Sequence, residues 1–496
     1  MAGNSAHEII PLNELSREGA GGYRLPSLEV PFQTPLPQKY LRADLPLPQL
    51  TEHDAVREFM KRSHTNTSVD GSPLFPLGSC TMIYNPAAIR DVAVFANLHP
   101  LQPEQTSQGA LRILFDLERI LSELGGAAAG TLQPAAGAHS ELTAVFMIAA
   151  YHASRGEGDQ RKTVLIPDSA HGTNPASAAM AGYNVQTAPS NKSGRLDLEA
   201  LTKIMEEKGN TVAALMITQP STFGIYDEQI KDITKVMHDY GAQVFCDGAN
   251  FAALVNRVKF GDLGIDVFHF NLHKTFGVPH GGGGPGAGYT GAAKHLVPFL
   301  PTPRIESSME RFVLSFDHPQ SIGTVSSAYG NFLADVMADK YILLMGSDGL
   351  MESSGVAVEA GNYQHQLLSK ILPPAFGGVV MHEGIVLDTP LRGLKVNSDG
   401  RAKQLTVIDL VKALTDLGYY APTVGFPLHD GILTEPTHSA SKAAMDAFAR
   451  DLKEAVEHAT QDPEWLATSP HSTLVGRLKE AESDRNPVFT WVKNGK

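Results

Sequence analysis

The stretch TVAALMITQPSTFGIYDEQIKDITKVMHDYGAQVFCD, Thr211 to Asp247, decides the fold class. TVAALMIT (211–218) is a short apolar run of strand length, and PSTFG after it is turn-forming. YDEQIKDITKVMHDYG (226–241) then places Ile230, Ile233, Val236 and Met237 on one face of a predicted helix. AQVFCD (242–247) reads as the next strand. Strand, crossover helix, strand is the repeating unit of a parallel sheet, because parallel neighbours need a long connection between them.

The same alternation extends from about residue 110 to 300. TVLIP (163–167) and DVFHF (266–270) are predicted strands, and LTAVFMIAAYHASRG (142–156) a buried helix. The expectation is an α/β domain with a mostly parallel central sheet over residues 71–340. Residues 1 to about 50 are rich in proline, which fixes φ and removes ladder donors, so the first 70 residues are expected to form an extended N-terminal arm with scattered apolar side chains for docking. Beyond residue 340 the chain reads as a smaller C-terminal α+β domain. It has a helical stretch from Tyr341, then segments such as QLTVIDLVKALTDLG and THSASKAAMDAFARDLKEAVEHA. No repeat of 20 to 50 residues is evident.

Composition excludes several classes. At 42% apolar and 19% charged residues the chain is an ordinary globular protein, and no apolar run approaches the roughly 18 residues that a membrane span needs. A net charge of −13 without a dense Lys/Arg cluster argues against nucleic-acid binding. Cys80 and Cys246 alone provide neither a disulfide framework nor a four-cysteine zinc site, and no metal is expected. The N-terminal stretch lacks the features of a signal or transit peptide, so a cytoplasmic location is expected.

In open α/β sheets ligands bind beyond the carboxyl ends of strands. Three predicted strands run into reactive side chains: TVLIP into DSAHGTNP with His171, AQVFC into Asp247, and DVFHF into NLHK with Lys274. Lys274 stands in NLHKTFGVPHGGGGPG (271–286), whose glycines lack the GK[ST] ending of a nucleotide-binding loop. A lysine in a tight, partly desolvated loop can bind pyridoxal phosphate as a Schiff base; the plain alternative is a surface lysine before a flexible loop. Asp247, 27 positions earlier, suits the carboxylate that keeps the cofactor's pyridine nitrogen protonated, or else caps the following segment. AAGAHSELTAV (135–145) leads small residues into a helix start, making Ala136, Gly137 and Ala138 a candidate phosphate cradle, or an ordinary helix N-terminus. Asn271 and His273 could also reach the phosphate, although a buried histidine bonded to backbone is the competing reading.

Six motifs carry a resemblance: PLGSCTMIYNP (76–86), QPAAGAHSEL (133–142), IPDSAHGTNPASAAMAGY (166–183), QPSTFG (219–224), DGANFAA (247–253) and NLHKTFGVPHGGGGPGAG (271–288). Together they resemble the glycine decarboxylase, or P-protein, family of the glycine cleavage system, in its lysine-bearing second subunit, over nearly the whole chain. The resemblance implies a fold-type-I pyridoxal-phosphate transferase fold. It also implies that Lys274 carries the cofactor, Asp247 faces the ring nitrogen, His171 stacks on the ring, and Ala249 lies at the cofactor with Asn271, His273 and the small-residue turn. The implied activity is that of an oxidoreductase acting on a CH–NH2 group with a disulfide acceptor: glycine loses CO2 and its aminomethyl group passes to the lipoyl group of an H-protein. A homologous first subunit would complete an α2β2 assembly. His171, His273 and the freed Lys274 are candidates for proton traffic, Lys274 first among them because it is released at the reacting carbon. Where the family motif has a lysine, this chain has Ile83, which puts in doubt any docking or substrate role at that position. The competing functions are another fold-type-I enzyme acting on a small amino acid and a noncatalytic structural subunit; an intact Lys274 and Asp247 argue against the latter.

Overall fold

The computed structural model describes residues 10–489 except 24, 25, 28, 31–34, 43–46, 73, 93, 94, 96–103, 280–285, 309, 310, 328, 399 and 400. The glycine run after Lys274 thus lies largely outside the described residues, as do parts of the expected arm.

Seven strands form the main sheet: β1 (Ala129–Thr131), β2 (Thr163–Pro167), β3 (Asn184–Ala188), β4 (Val212–Thr218), β5 (Gln243–Asp247), β6 (Val267–Asn271) and β7 (Gly288–Ala292). Their order is β1-β7-β6-β5-β4-β2-β3. Neighbours from β3 to β6 are parallel, whereas β7 runs antiparallel to both β6 and β1. Parallel strands covered on both faces are apolar throughout, which is why β5 and β6 are buried at every position. Register sets the site: Thr218 pairs with Asp247, and Asp247 with His269, so the carboxyl ends of β4, β5 and β6 finish side by side.

Ahead of the sheet come α1 (Glu52–His64), the single turn α2 (Ala87–Arg90) and α3 (Glu104–Gly125), which buries Leu111, Leu114, Leu117 and Leu121. Within it are α4 (Gly137–Ser154), α5 (Thr173–Met180), α6 (Leu198–Lys208) and α7 (Ile230–Asp239). The predicted helix over 226–241 starts four residues late. Asp227 turns inward instead: its carboxylate accepts from the amides of Leu196 (3.2 Å) and Gln229 (3.0 Å), and its backbone pairs with the Gln219 side chain. Such side-chain-to-backbone bonds compete with the helical ladder.

The expected arm is partly helical. Thr51 caps α1 by accepting from the Asp54 amide at 3.2 Å, and Glu58 on that helix is buried against Arg62 at 3.2 Å. After β8 (Arg304–Ser308) and β9 (Arg311–Ser315), a hairpin, α8 (Phe332–Leu368) crosses from the main body to the C-terminal part, with Gly346 at φ 61° interrupting its helical backbone. The C-terminal part holds β10 (Gly384–Leu387), the β11 (Lys395–Ser398) and β12 (Arg401–Gln404) hairpin, α9 (Val407–Asp416), β13 (Thr423–Val424), β14 (Gly431–Thr434) and α10 (Lys442–Gln461). The strands β10, β14 and β13 form a three-stranded antiparallel sheet.

One apolar core runs from Ile83 to Leu350, and another joins Leu74 to residues from Leu368 to Leu466. On that basis we propose the division 1–70, 71–340 and 341–496, with α8 spanning the last boundary. The strand-like segment at Leu77 bridges Thr434 and ties the start of the large domain to the small one.

Candidate active site

A cavity of about 340 Å³ opens at the carboxyl ends of β4, β5 and β6. Lys274, Asp247, His171 and Ala249 line it, as do Gly137, Ala138, Asn271 and His273. Ala136 does not; it is the extended residue just before α4, and its carbonyl accepts from the Ser140 amide at 2.9 Å.

The loop after β6 fixes Lys274. Its amide donates to the Asn271 carbonyl at 3.0 Å, and Thr275 Oγ1 accepts from the Phe251 amide at 3.0 Å, which locks the next residue into the wall. His273 Nδ1 lies 3.3 Å from the Ala287 carbonyl and 3.4 Å from its amide, so the ring is set against backbone.

Asp247, buried at the end of β5, accepts from the Ala249 amide at 2.9 Å, and His269 Nε2 lies 3.5 Å from its Oδ1. Burial outweighs the Asp247 charge and pushes the His269 pKa down to about 4, so the ring beneath the carboxylate is neutral. On the other side is Glu141 of α4, whose Oε1 accepts from Thr173 Oγ1 at 2.7 Å. Turned with its nitrogen toward the carboxylates, the Asn174 amide donates to Glu141 Oε2 at 3.1 Å and to Asp247 Oδ2 at 3.3 Å. Desolvation, then the Asp247 charge, pushes the Glu141 pKa up to about 8. Thr173 also sits 2.9 Å from His171 Nδ1, and desolvation holds the His171 imidazole below its ordinary range.

Glu141 yields a prediction of its own. A carboxyl whose native pKa is raised binds more protons folded than unfolded, so its contribution to stability is lost as pH rises from the ordinary carboxylate range toward about 8. Glu141→Gln is therefore expected to flatten the fall in Tm between about pH 5 and pH 8 relative to the unmodified chain, by a few degrees at most. Thermal melts of the cofactor-free proteins across that range check it, and parallel curves would count against a protonated Glu141.

The residues fit a phosphorylated aromatic cofactor. No side chain caps α4, so its first-turn amides face the cavity end unclaimed by a cap, as an anion site requires. The Asn271 amide beside them has its Oδ1 buried without a partner, and turned about its last bond it would offer Nδ2 donors to a phosphate there. The cradle tolerates no side chain: a Cβ on Gly137 would come within 2.4 Å of Asn271 Oδ1, and one on Gly286 within 2.9 Å of His273 Nδ1.

The sequence reading missed Glu141, Asn174 and His269, and on the opposite wall Cys80, His382, Glu383 and Glu435. Two signals were available. Glu141 is the one acidic or basic residue of α4 apart from its histidines, and His269 interrupts the apolar run of DVFHF. Ile83 is buried in the main core and lines a neighbouring cavity of about 540 Å³ that His273 also borders.

Sheet order, strand-end lysine and strand-end aspartate define a class, the fold-type-I fold of pyridoxal-phosphate enzymes. Residues 140–283 match the aminotransferase class-V family, and residues 353–471 match the glycine dehydrogenase C-terminal domain. The chain is 44% identical to the probable glycine dehydrogenase (decarboxylating) subunit 2 of Caldanaerobacter subterraneus subsp. tengcongensis, over 97% of this chain and 98% of that one. It is 43% identical to the protein of the same description from Thermus thermophilus, over 97% and 98%. A crystal structure of glycine decarboxylase (P-protein) of the glycine cleavage system, in inhibitor-bound form, superposes with a TM-score of 0.69 at 20% identity, covering 85% of this chain and 93% of that one. The chain belongs to the glycine dehydrogenase (decarboxylating) subunit 2 family.

Proposed function

We propose that this chain is the cofactor-bearing subunit of a glycine decarboxylase: it binds pyridoxal 5′-phosphate on Lys274, releases the carboxyl group of glycine as CO2, and passes the aminomethyl group to the lipoyl group of an H-protein. The observation that carries this reading is the single cavity shared by Lys274, Asp247 and the uncapped start of α4, in a chain related over nearly its full length to that family.

When bound, the cofactor supplies an electron sink for the pair left behind as CO2 departs. The chain's own residues do the rest. Asp247, with neutral His269 beneath it, holds a proton on the ring nitrogen by opposite charge. The first-turn amides of α4, at Gly137 and Ala138, would receive the phosphate together with the Asn271 amide turned to donate through Nδ2, with His273 and Ala249 lining the same cavity and Ala136 just outside it at the helix start. His171, tethered by Thr173, is the residue to pack against the ring. No arginine is among the described residues lining the cavity, so the substrate carboxylate meets no bidentate cation that would stabilise it against loss. Lys274 and the two histidines are the nearby bases, and Lys274 is the one freed at the reacting carbon.

The α2β2 assembly with a homologous first subunit, the H-protein as acceptor and a cytoplasmic location belong to the same proposal. No helix among the described residues is long and apolar enough to cross a membrane. The arm exposes Tyr23, Val30, Leu47 and Phe59, apolar surface that a neighbouring subunit would cover. Alone, the chain is expected to show little glycine–bicarbonate carbon exchange with lipoyl H-protein. Mixing with a homologous first subunit should restore exchange through an interface burying more than about 2,000 Å². Light scattering on size-exclusion fractions, run beside the exchange assay, tests this; full exchange by a homodimer of this chain would overturn the two-subunit reading and leave the cofactor assignment standing.

A further inference from the structure

The wall facing Lys274 holds titratable groups that the chemistry above leaves unused. Glu383, just before β10, and Glu435, just after β14, are 2% and 0% exposed. One atom from each carboxylate and one from the His382 ring lie within 4.8 Å of one another. Glu435 Oε2 accepts from the Thr81 amide at 3.1 Å and from Asn250 Nδ2 at 2.9 Å, while Glu383 takes a hydrogen bond from the Ser79 backbone. Glu383 Oε2 and Glu435 Oε1 have no protein partner.

The backbone that delivers those amides is bent to do so. Ser79 and Thr81 have φ of 61° and 48°, a left-handed conformation that residues other than glycine, and β-branched ones above all, adopt only when held there. Gly78 anchors the loop against β14, where a Cβ would come within 2.4 Å of the Leu433 side chain. Three segments far apart in sequence thus converge on two carboxyl groups.

Two carboxylates so close and so buried do not both ionise. Burial, then Glu435, holds Glu383 well above its ordinary range; Glu435 is raised as well, but hydrogen bonds from Asn250 and Thr81 oppose the rise. The shared proton therefore rests on Glu383, with Glu435 as the ionised member. The other groups facing the pair are Lys274, His382, which burial holds neutral, and Cys80, whose thiol burial keeps protonated; Asp247 and Glu141 line the same cavity.

We propose that Glu383 and Glu435 form a proton-sharing pair that serves Nζ of Lys274 while glycine replaces that lysine on the cofactor. The carbon–nitrogen bond to Nζ breaks as the one to the glycine nitrogen forms. Ionised Glu435 takes the first proton that the glycine ammonium group gives up, protonated Glu383 gives one to the departing amine, and the second proton passes directly from the glycine nitrogen to Nζ while both are held on the same carbon, so the pair ends with the charge and proton count it began with. The inference rests on Lys274 being the attachment point.

Three variants test it: Glu383→Gln, Glu435→Gln and the double variant. Each is isosteric, and the amide oxygen of E435Q can still accept from Thr81 and Asn250. Glu383→Gln leaves Glu435 ionised and held by Thr81 and Asn250, hence the same charge beside Lys274 but no shared proton, and it is the single variant in which the charge is read, because burial still raises Glu383 in Glu435→Gln. The pKa of the cofactor–lysine linkage, read from absorbance against pH, should stay within about 0.3 units of the unmodified value, while the stopped-flow rate of reaction with glycine falls about 10²-fold or more. The double variant removes the charge as well, and its linkage pKa should drop by about one unit or more. A single variant reacting within about twofold of the unmodified rate would overturn the proton store, because acid–base assistance contributes about 10²-fold or more. An unmoved linkage pKa in the double variant would overturn the placement of the pair beside the lysine. Borohydride reduction and peptide mapping of every variant separate these outcomes from a wrong attachment point, since in that event the label falls elsewhere in the unmodified protein too.

Discussion

Replacing Lys274 by alanine is expected to abolish borohydride fixation of the cofactor and to lower glycine-dependent CO2 exchange by at least about 10³-fold, the scale of losing one group that serves as both attachment point and acid–base. The expectation rests on position. Lys274 is the one lysine among the described residues lining the cavity, and its backbone is tied to Asn271 while its neighbours His273 and Thr275 are buried. A lysine from elsewhere has no fixed route to the same point. The cavity should survive the change, because the α4 amides, Asp247 and His171 do not depend on the amine for their own bonds. Weak, reversible cofactor binding should remain, visible as absorbance that dialysis removes. Mass spectrometry of peptides from the reduced protein checks the assignment, and stoichiometric labelling of another lysine in the variant would defeat it.

Much of this was legible because strand ends are marked locally. Val212–Thr218, Gln243–Asp247 and Val267–Asn271 are short apolar runs that stop at polar residues, so Asp247 and Lys274 stood out as the first reactive groups beyond buried strands. The late start of α7 was not legible. Asp227 leaves the helix because its carboxylate meets the Leu196 amide, 31 residues away, and nothing in the local pattern announces that contact. The helix over Glu52–His64 was hidden by the prolines before it, which coloured the reading of the whole arm.

The opposite wall of the site was invisible for a similar reason. Glu383 joins the cavity of Lys274, and Glu435 stands beside Glu383, only because β10 and β14 pair and the Ser79–Thr81 loop folds across them; in sequence they are 52 residues apart and set among residues of ordinary character. Glu141 and His269 differ: one is the lone carboxylate of a helix and the other a polar residue in an apolar strand, both are buried, and a polar group placed there needs a partner. Glu141 finds its partners in Thr173 and Asn174, and Asn174 joins it to Asp247, while His269 packs within 3.5 Å of Asp247, so the carboxylate that the sequence marked carries a supporting layer of its own.

That layer sets the second large effect. Asp247→Asn is expected to leave the cofactor attached to Lys274 while reducing CO2 exchange by about 10²- to 10³-fold, since an adjacent opposite charge shifts a pKa by about 1 to 3 units and the amide supplies none. The attachment point, the α4 amides and Asn271 are untouched by the change, so retention and reactivity should separate. The neighbours sharpen the prediction. His269 is neutral and loses the one charge that raises it, so it stays neutral, and although Glu141 loses the repulsion of Asp247, burial, the larger cause of its raised pKa, remains to hold its proton. The ring nitrogen should therefore lose its proton over the working pH range, weakening the electron sink at the step where CO2 leaves. Cofactor content by absorbance, exchange of labelled bicarbonate and a nitrogen-15 spectrum of the bound, labelled cofactor read the three consequences apart. A variant that exchanges CO2 at near the unmodified rate, with its ring nitrogen still protonated, would show that another group holds that proton, and Glu141, through the Asn174 amide that joins it to Asp247, is where the search would turn next.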